Sequence, residues 1–233
     1  MEQLLVCGKN SVIDAYNNNQ KIKLIYISKK ENLKYFNKHR VNIKIVDHIF
    51  LNSLTQENHQ GFIAVLPGIN YFDLTNLIKN KPENVLVLDK IQDPHNLGAI
   101  IRTANAAGIK DIILPKTNAA QLDSTALKVS SGGYIGINFY RVNSISASLT
   151  KIKKHGYWIY STTLNEKAFP HTKVNYNGPT VIVVGNEGVG ISKSVASVSD
   201  EFIYINQFGT VQSLNVSVAT GIILFDLINK KNG

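Results

Sequence analysis

The sequence predicts an α/β protein: a small αβ domain over residues 1–70, a linker over 71–82, and a larger parallel-sheet domain over 83–233. Three observations predict it. Beyond Pro82, short apolar runs rich in Val and Ile alternate with helix-like stretches, the pattern of a parallel sheet covered on both faces. Before Pro67 the same alternation occurs in a shorter, lysine-rich segment. Between the two, Pro67-Gly68 and Pro82 bracket a stretch holding one short helix around Asp73–Ile78, as expected of a connection between domains.

In the small domain, Asn10–Asn18 reads as helix, Lys23–Ser28 as strand, Glu31–His39 as helix, Asn42–Val46 as strand, and Phe62–Leu66 as the strand that closes the module. In the large domain the strands are Val85–Asp89, Asp111–Pro115, Ile137–Val142, Trp158–Thr163, Thr180–Gly185 and Glu201–Asn206, with helical stretches between most of them. The first of those helices is placed at Leu97–Ala107, with Asn96 as N-cap, Pro94 ending any earlier helix and Gly108 closing the C-terminus. The last is placed at Ser213–Asn229, with Ser213 as N-cap and an apolar body that docks on the sheet.

Composition narrows the partners. The chain has 233 residues, a net charge of +9 and a pI near 9.5, which favours an anionic partner, most commonly nucleic acid. The excess is shared between the parts, and Lys21, Lys23, Lys29, Lys30, Lys34, Lys38 and Arg40 make the first eighty residues a candidate RNA-contacting surface. Only Arg40, Arg102 and Arg141 are arginines, against twenty-two lysines. Arginine in such a background points to positions that need a planar, permanently charged fork. The single cysteine, Cys7, excludes an internal disulfide and reads as a small core residue in a cytosolic protein. Six scattered histidines form no spaced pair, so no metal site is expected. No apolar run reaches the ~18 residues of a membrane span, so no membrane partner is expected either.

Two strand exits carry the chemistry. Gly185-Asn186-Glu187-Gly188-Val189-Gly190 follows one apolar strand, and Ser213-Leu214-Asn215-Val216-Ser217 lies beyond the next. Ligands of α/β proteins bind beyond the carboxyl ends of strands, where glycine lets the backbone come close. A dinucleotide site would need Gly-x-Gly-x-x-Gly after the first strand, but Lys90-Ile91-Gln92-Asp93-Pro94 stands there, and a carboxylate at Glu187 would repel a pyrophosphate. A ligand with a positive or neutral reacting centre suits Glu187 better. S-adenosyl-L-methionine, with a sulfonium and no phosphate, fits that description.

Three segments resemble the signature motifs of the SpoU (TrmH) branch of the SPOUT RNA 2′-O-methyltransferases. They are Asp93-Pro94-x-Asn96-x-Gly98 with Arg102 six residues after the Asn, Gly185-Asn186-Glu187-Gly188-x-Gly190, and Gly209-x-x-x-Ser213-Leu214-Asn215-Val216-Ser217, in the family's order. Val6–Val12 and His59-Gln60-Gly61 resemble the family's N-terminal substrate-binding module. The resemblance implies a deep trefoil knot formed by the C-terminal motifs, which periodicity does not reveal. It also implies an enzyme that uses S-adenosyl-L-methionine to methylate a ribose 2′-hydroxyl of structured RNA, working as a homodimer. The two-domain form is most similar to enzymes acting on a guanosine of bacterial large-subunit ribosomal RNA; a transfer RNA substrate, or a catalytically silent RNA-binding protein, is the alternative.

Carried over residue by residue, the resemblance implies that Asn96, Arg102, Glu187, Ser213 and Asn215 form the reaction centre. Thr162, Gly185, Asn186, Gly188, Ile205, Gly209 and Leu214 would hold the cofactor. Asn96 and Ser213 can serve as helix caps as well, and Glu187 can orient Arg102. One departure stands out: the family commonly has Ile-Pro-Met before the third motif's glycine, whereas this chain has Ile205-Asn206-Gln207-Phe208-Gly209. Without that proline the loop is less constrained.

Overall fold

The computed structural model describes residues 4–37 and 40–233, so Lys38 and His39, part of the expected basic surface and helix, lie outside it. Two sheets divide the chain. The small one contains β1 (Leu4–Cys7), β2 (Leu24–Ile27), β3 (Ile43–Ile45) and β4 (Phe62–Leu66), in the order β1-β4-β2-β3. Alternation along the strands sends Val6, Ile25, Ile27 and Ala64 to the face covered by α1 (Lys9–Asn17), through Val12 and Tyr16. Cys7 and Ile63 take the other face, under Leu51 of α2 (His48–Leu54). Cys7 is therefore the core residue expected. The expected helix at Glu31–His39 is instead a 3₁₀ turn over Lys30–Tyr35, whose C-cap Phe36 is already extended.

The large sheet contains eight strands, and every pairing in it is parallel. They are β5 (Tyr71–Phe72), β6 (Asn84–Asp89), β7 (Asp111–Pro115), β8 (Asn138–Val142), β9 (Trp158–Thr162), β10 (Phe169–Pro170), β11 (Thr180–Gly185) and β12 (Glu201–Tyr204), in the order β10-β12-β9-β11-β6-β7-β8-β5. The helices are α3 (Leu74–Asn80), α4 (Pro94–Ala106), α5 (Ser124–Ser130), α6 (Ile145–Lys153), α7 (Lys193–Ala196) and α8 (Val216–Asn232). One layer packs α4, α5 and α8 against Leu86, Leu88, Ile112 and Ile182, and the other packs α6 and α7 against Val85, Val87, Ile113 and Val181. These strands are apolar on both faces because both faces are covered.

The fold class is the one expected. In its C-terminal part β11 lies between β6 and β9, β12 lies beyond β9, and α8 packs against α4 and β11; this is the part in which the resemblance places a knot.

Both expected N-caps are displaced. Asp93, not Asn96, caps α4 by accepting from the His95 N–H at 2.9 Å, because Pro94 fits the first helical position, where no N–H is needed. Asn215, not Ser213, caps α8 by accepting from the Ser217 N–H at 2.8 Å. Each displacement frees a side chain for other work. The stretch at 71–82 also does more than connect, since Tyr71 and Phe72 pair with Phe139 and Tyr140 at the edge of the large sheet. Ser124 donates to Glu57 at 2.6 Å and Tyr134 to Gln20 at 2.6 Å, bonding the two parts directly.

Candidate active site

A cavity of about 510 Å³ opens at the carboxyl ends of β9, β11 and β12 and is closed from below by α8. Its floor is apolar, formed by Ile203, Val216 and Ile223. Its rim is the turn 186–190 on one side and the stretch 204–214 on the other. Of the residues expected to hold a cofactor, Thr162, Gly185, Asn186, Gly188, Ile205 and Leu214 line it, and Gly209 does not.

The turn 186–190 is built from its own sequence. Asn186 N–H donates to the Gly190 carbonyl at 3.0 Å and Gly190 N–H to the Asn186 carbonyl at 2.8 Å, with Gly190 at φ 70°. The Asn186 side chain accepts from Gly188 N–H at 2.9 Å and donates to the Lys90 carbonyl at 3.2 Å. Gly185 is required by close approach, because a Cβ there would lie 2.3 Å from the Gly190 carbonyl carbon. Buried Asp89 accepts from Ser192 N–H at 2.7 Å and ties the end of the turn to β6.

The first motif's glycine has a different task. A Cβ on Gly98 would come within 2.5 Å of the Ala126 carbonyl oxygen, so Gly98 lets α4 and α5 touch.

The expected reaction-centre residues separate into two groups. Asn96 Nδ2 donates to Glu187 Oε1, and Asn215 Nδ2 donates to Asn96 Oδ1 at 2.9 Å. Asn215 Oδ1 in turn accepts from Ser217 Oγ at 2.6 Å. One row of polar groups therefore runs from Glu187 through α4 to the cap of α8, with Ser213 on the cavity wall beside it. Arg102 is elsewhere. Six residues along α4 are a rise of ~9 Å and a turn of ~240° from Asn96, so the two side chains leave different faces of the helix. Arg102 Nη1 donates to Ser131 Oγ at 3.4 Å, in a second cleft with Asn105, Gly132, Gly133 and, from the small domain, Asn18. The possibility that Glu187 orients Arg102 is set aside, because the partner of Glu187 is Asn96 and that of Arg102 is Ser131.

Sequence reasoning missed the Gln207, Gln212, Leu164 and Val189 walls of the cavity, although all four sit beside strand exits it had marked. The charge of the lining is distinctive. Glu187 is its one carboxylate, and no Lys, Arg or His side chain lines it. A polyphosphate ligand would be repelled there, whereas a sulfonium carrying an α-ammonium group finds a carboxylate, backbone donors and acceptors, and an apolar floor.

The SpoU rRNA Methylase family profile matches residues 83–225, and the profile for RNA 2′-O ribose methyltransferase substrate binding matches residues 5–72. The chain belongs to the SpoU methylase family. It is 32% identical to a Staphylococcus saprophyticus protein that carries the name of the TrmH family of tRNA/rRNA methyltransferases, over all of this chain and 98% of that protein. It is 40% identical to the 23S rRNA (guanosine-2′-O-)-methyltransferase RlmB of Acinetobacter baylyi, over 75% of this chain and 73% of that protein. Among solved structures, an AdoMet-bound rRNA methyltransferase from Sinorhizobium meliloti superposes with a TM-score of 0.80 at 27% identity, covering 96% of this chain and 86% of that one. This SpoU protein is thus an RNA methyltransferase whose cofactor is S-adenosyl-L-methionine, and the residues of the cavity fit that group.

Proposed function

We propose that the protein methylates the ribose 2′-hydroxyl of a guanosine in large-subunit ribosomal RNA. The observation that carries the methyl-transfer reading is the cavity itself, with one carboxylate, no cation, and a position at strand ends beside the Glu187–Asn96–Asn215 row. The choice of guanosine and of ribosomal RNA is supported by the RlmB relative. A transfer RNA is the second reading, supported by the TrmH-family name of the Staphylococcus relative.

When bound, S-adenosyl-L-methionine supplies a methyl group on a sulfonium, open to in-line attack. The chain's residues align and exclude water. Ile203, Val216 and Ile223 keep the cavity floor dry, and the 186–190 turn presents backbone groups that cost no reorganisation. The Asn96 and Asn215 amides hold the Glu187 carboxylate in one orientation. Arg102 lies in the Ser131 cleft and not in this cavity, so its expected role, gripping the phosphate beside the target nucleotide and stabilising the developing alkoxide, would be exercised across the homodimer, on the cavity of the partner protomer. A guanidinium holds its proton and is a poor base, so we assign proton removal to no residue. In this reading residues 1–70 gather RNA and residues 83–233 carry the chemistry.

The protein works as a homodimer. Val218, Ile222 and Phe225 form an apolar stripe along α8, 52%, 37% and 44% exposed, on the surface next to the cap at Asn215. Its compartment is the cytosol, in keeping with one buried free cysteine and with the absence, among the described residues, of a helix long and apolar enough to cross a membrane. Mapping of 2′-O-methylated positions in ribosomal and transfer RNA, from cells with and without the gene, tests the substrate. Loss of one ribosomal guanosine methylation is expected, and loss at a transfer RNA position instead would move the proposal to the second reading.

A further inference from the structure

The small domain gathers positive charge around one tyrosine. At the carboxyl end of its sheet, Lys9 opens α1 and the 3₁₀ turn brings Lys34 and Tyr35 to the same place. The Lys9 ammonium lies 4.8 Å from the centre of the Tyr35 ring and that of Lys34 lies 5.3 Å from it. Hydrogen bonding from Lys9 and the charges of both lysines hold the phenol below its ordinary value. Two like charges held against one phenol repel each other, and among the described residues neither has a carboxylate within 4.0 Å. The same corner receives the N-terminus of α1, a nine-residue helix with no side-chain cap, entered through Gly8 at φ 102°. Its partial positive charge adds to that of the lysines. The Gln60 side chain accepts the Lys9 N–H at 3.2 Å.

We propose that Lys9, Lys34 and Tyr35 form a clamp for one phosphodiester of the RNA substrate, on the small domain and outside the methyl-transfer cavity. The proposal rests on the RNA-methyltransferase reading and names where the substrate is held. A phosphate between the two ammonium groups removes their repulsion, accepts from both, and takes the phenol O–H as a third donor. The contact is to backbone and carries no base specificity, so it contributes affinity and register while the cavity selects the ribose.

The test uses the full chain and a transcript of large-subunit ribosomal RNA, with affinity measured across salt concentrations. Each phosphate contact adds about 1 to the slope of log affinity against log salt. Lys34→Ala is expected to lower the slope by about 1, Lys9→Ala with Lys34→Ala by about 2, and Lys44→Ala, an exposed lysine on β3, to leave it unchanged. S-adenosyl-L-methionine affinity should stay at the wild-type value in all of them. Tyr35 gives a direct readout: the tyrosinate absorbance present in wild type and missing in Tyr35→Phe should shift to higher pH when the transcript is added, as the phosphate draws the lysines away from the phenol. An unchanged slope in the double variant, or a Tyr35 titration that moves with inorganic phosphate and not with the transcript, overturns the clamp. Failure of the methyltransferase reading is distinguishable, since the wild-type chain would then bind no S-adenosyl-L-methionine.

Discussion

Replacing Gly185 by alanine tests whether the 186–190 turn is the cofactor wall. The added Cβ would lie 2.3 Å from the Gly190 carbonyl carbon, 2.4 Å from its oxygen and 2.4 Å from the Ile191 nitrogen. All three are backbone atoms, so no side chain can rotate aside. Contact distances near 3.5 Å require the turn to shift by about 1 Å. Overpacking of this kind costs about 1–3 kcal/mol, and stretching the paired bonds between Asn186 and Gly190 adds about 0.5–1.5 kcal/mol for each one lost. If the turn relaxes outward, binding must push it back, and each 1.4 kcal/mol weakens the cofactor about tenfold. Calorimetric titration with S-adenosyl-L-methionine should therefore show affinity about 10- to 100-fold below wild type, with a melting temperature lower by several degrees. Gly188→Ala is the control for the turn: its Cβ would meet nothing closer than the Asn186 side-chain oxygen at 3.7 Å, so the melting temperature should stay at the wild-type value. Wild-type affinity and melting temperature in Gly185→Ala would refute the reasoning.

Arg102→Ala is expected to abolish methyl transfer while cofactor affinity stays within a few-fold, because Arg102 faces the Ser131 cleft and not the cavity; single-turnover kinetics beside calorimetry separate the two effects. Phe225→Asp should turn the proposed homodimer into monomers in light scattering by charging the exposed stripe of α8. His59 gives a pH dependence. Burial lowers its pKa, and its Nδ1 accepts from the Gly61 N–H at 2.9 Å while Nε2 meets the Asn52 side-chain oxygen at 2.9 Å, so the folded state holds the neutral ring. The unfolded chain binds the proton first as pH falls, and stability that is complete above about pH 6.5 is lost below it. Thermal melts between pH 7.5 and 5.5 should show that loss, and in His59→Gln a smaller one.

Strands were the most legible elements. Asp111–Pro115 and Thr180–Gly185 begin and end where the Val- and Ile-rich runs do, since full burial on both faces leaves no other pattern. Helix starts were less so. Asn96 and Ser213 are good caps by type, but Asp93 with Pro94, and Asn215, stood two or three residues away and were equally good. Choosing among adjacent capping residues needs the tertiary partner, here Glu187 for Asn96, ninety-one residues distant. β1 and α2 went unread because each is short, and because α2 exposes Ile49 and Phe50 where periodicity expects polar residues. The motif residues of the site were legible through resemblance. Their division into the Glu187 row and the Arg102 cleft was not, because the same helix supplies both from different faces. Two of the three arginines do use a planar fork: Arg40 lies over Tyr16 and Arg141 over Tyr71.

The central claim, that the acceptor is a ribose 2′-hydroxyl, is tested most directly by alkaline hydrolysis of RNA methylated by the purified protein. That hydroxyl is the group through which alkali cleaves RNA, so its methylation protects the phosphodiester on its 3′ side. Treated transcript is expected to give a hydrolysis ladder with a single gap, one nucleotide wide, that depends on S-adenosyl-L-methionine. A complete ladder from RNA that has nonetheless taken up labelled methyl, with the label travelling on a free base, would contradict it.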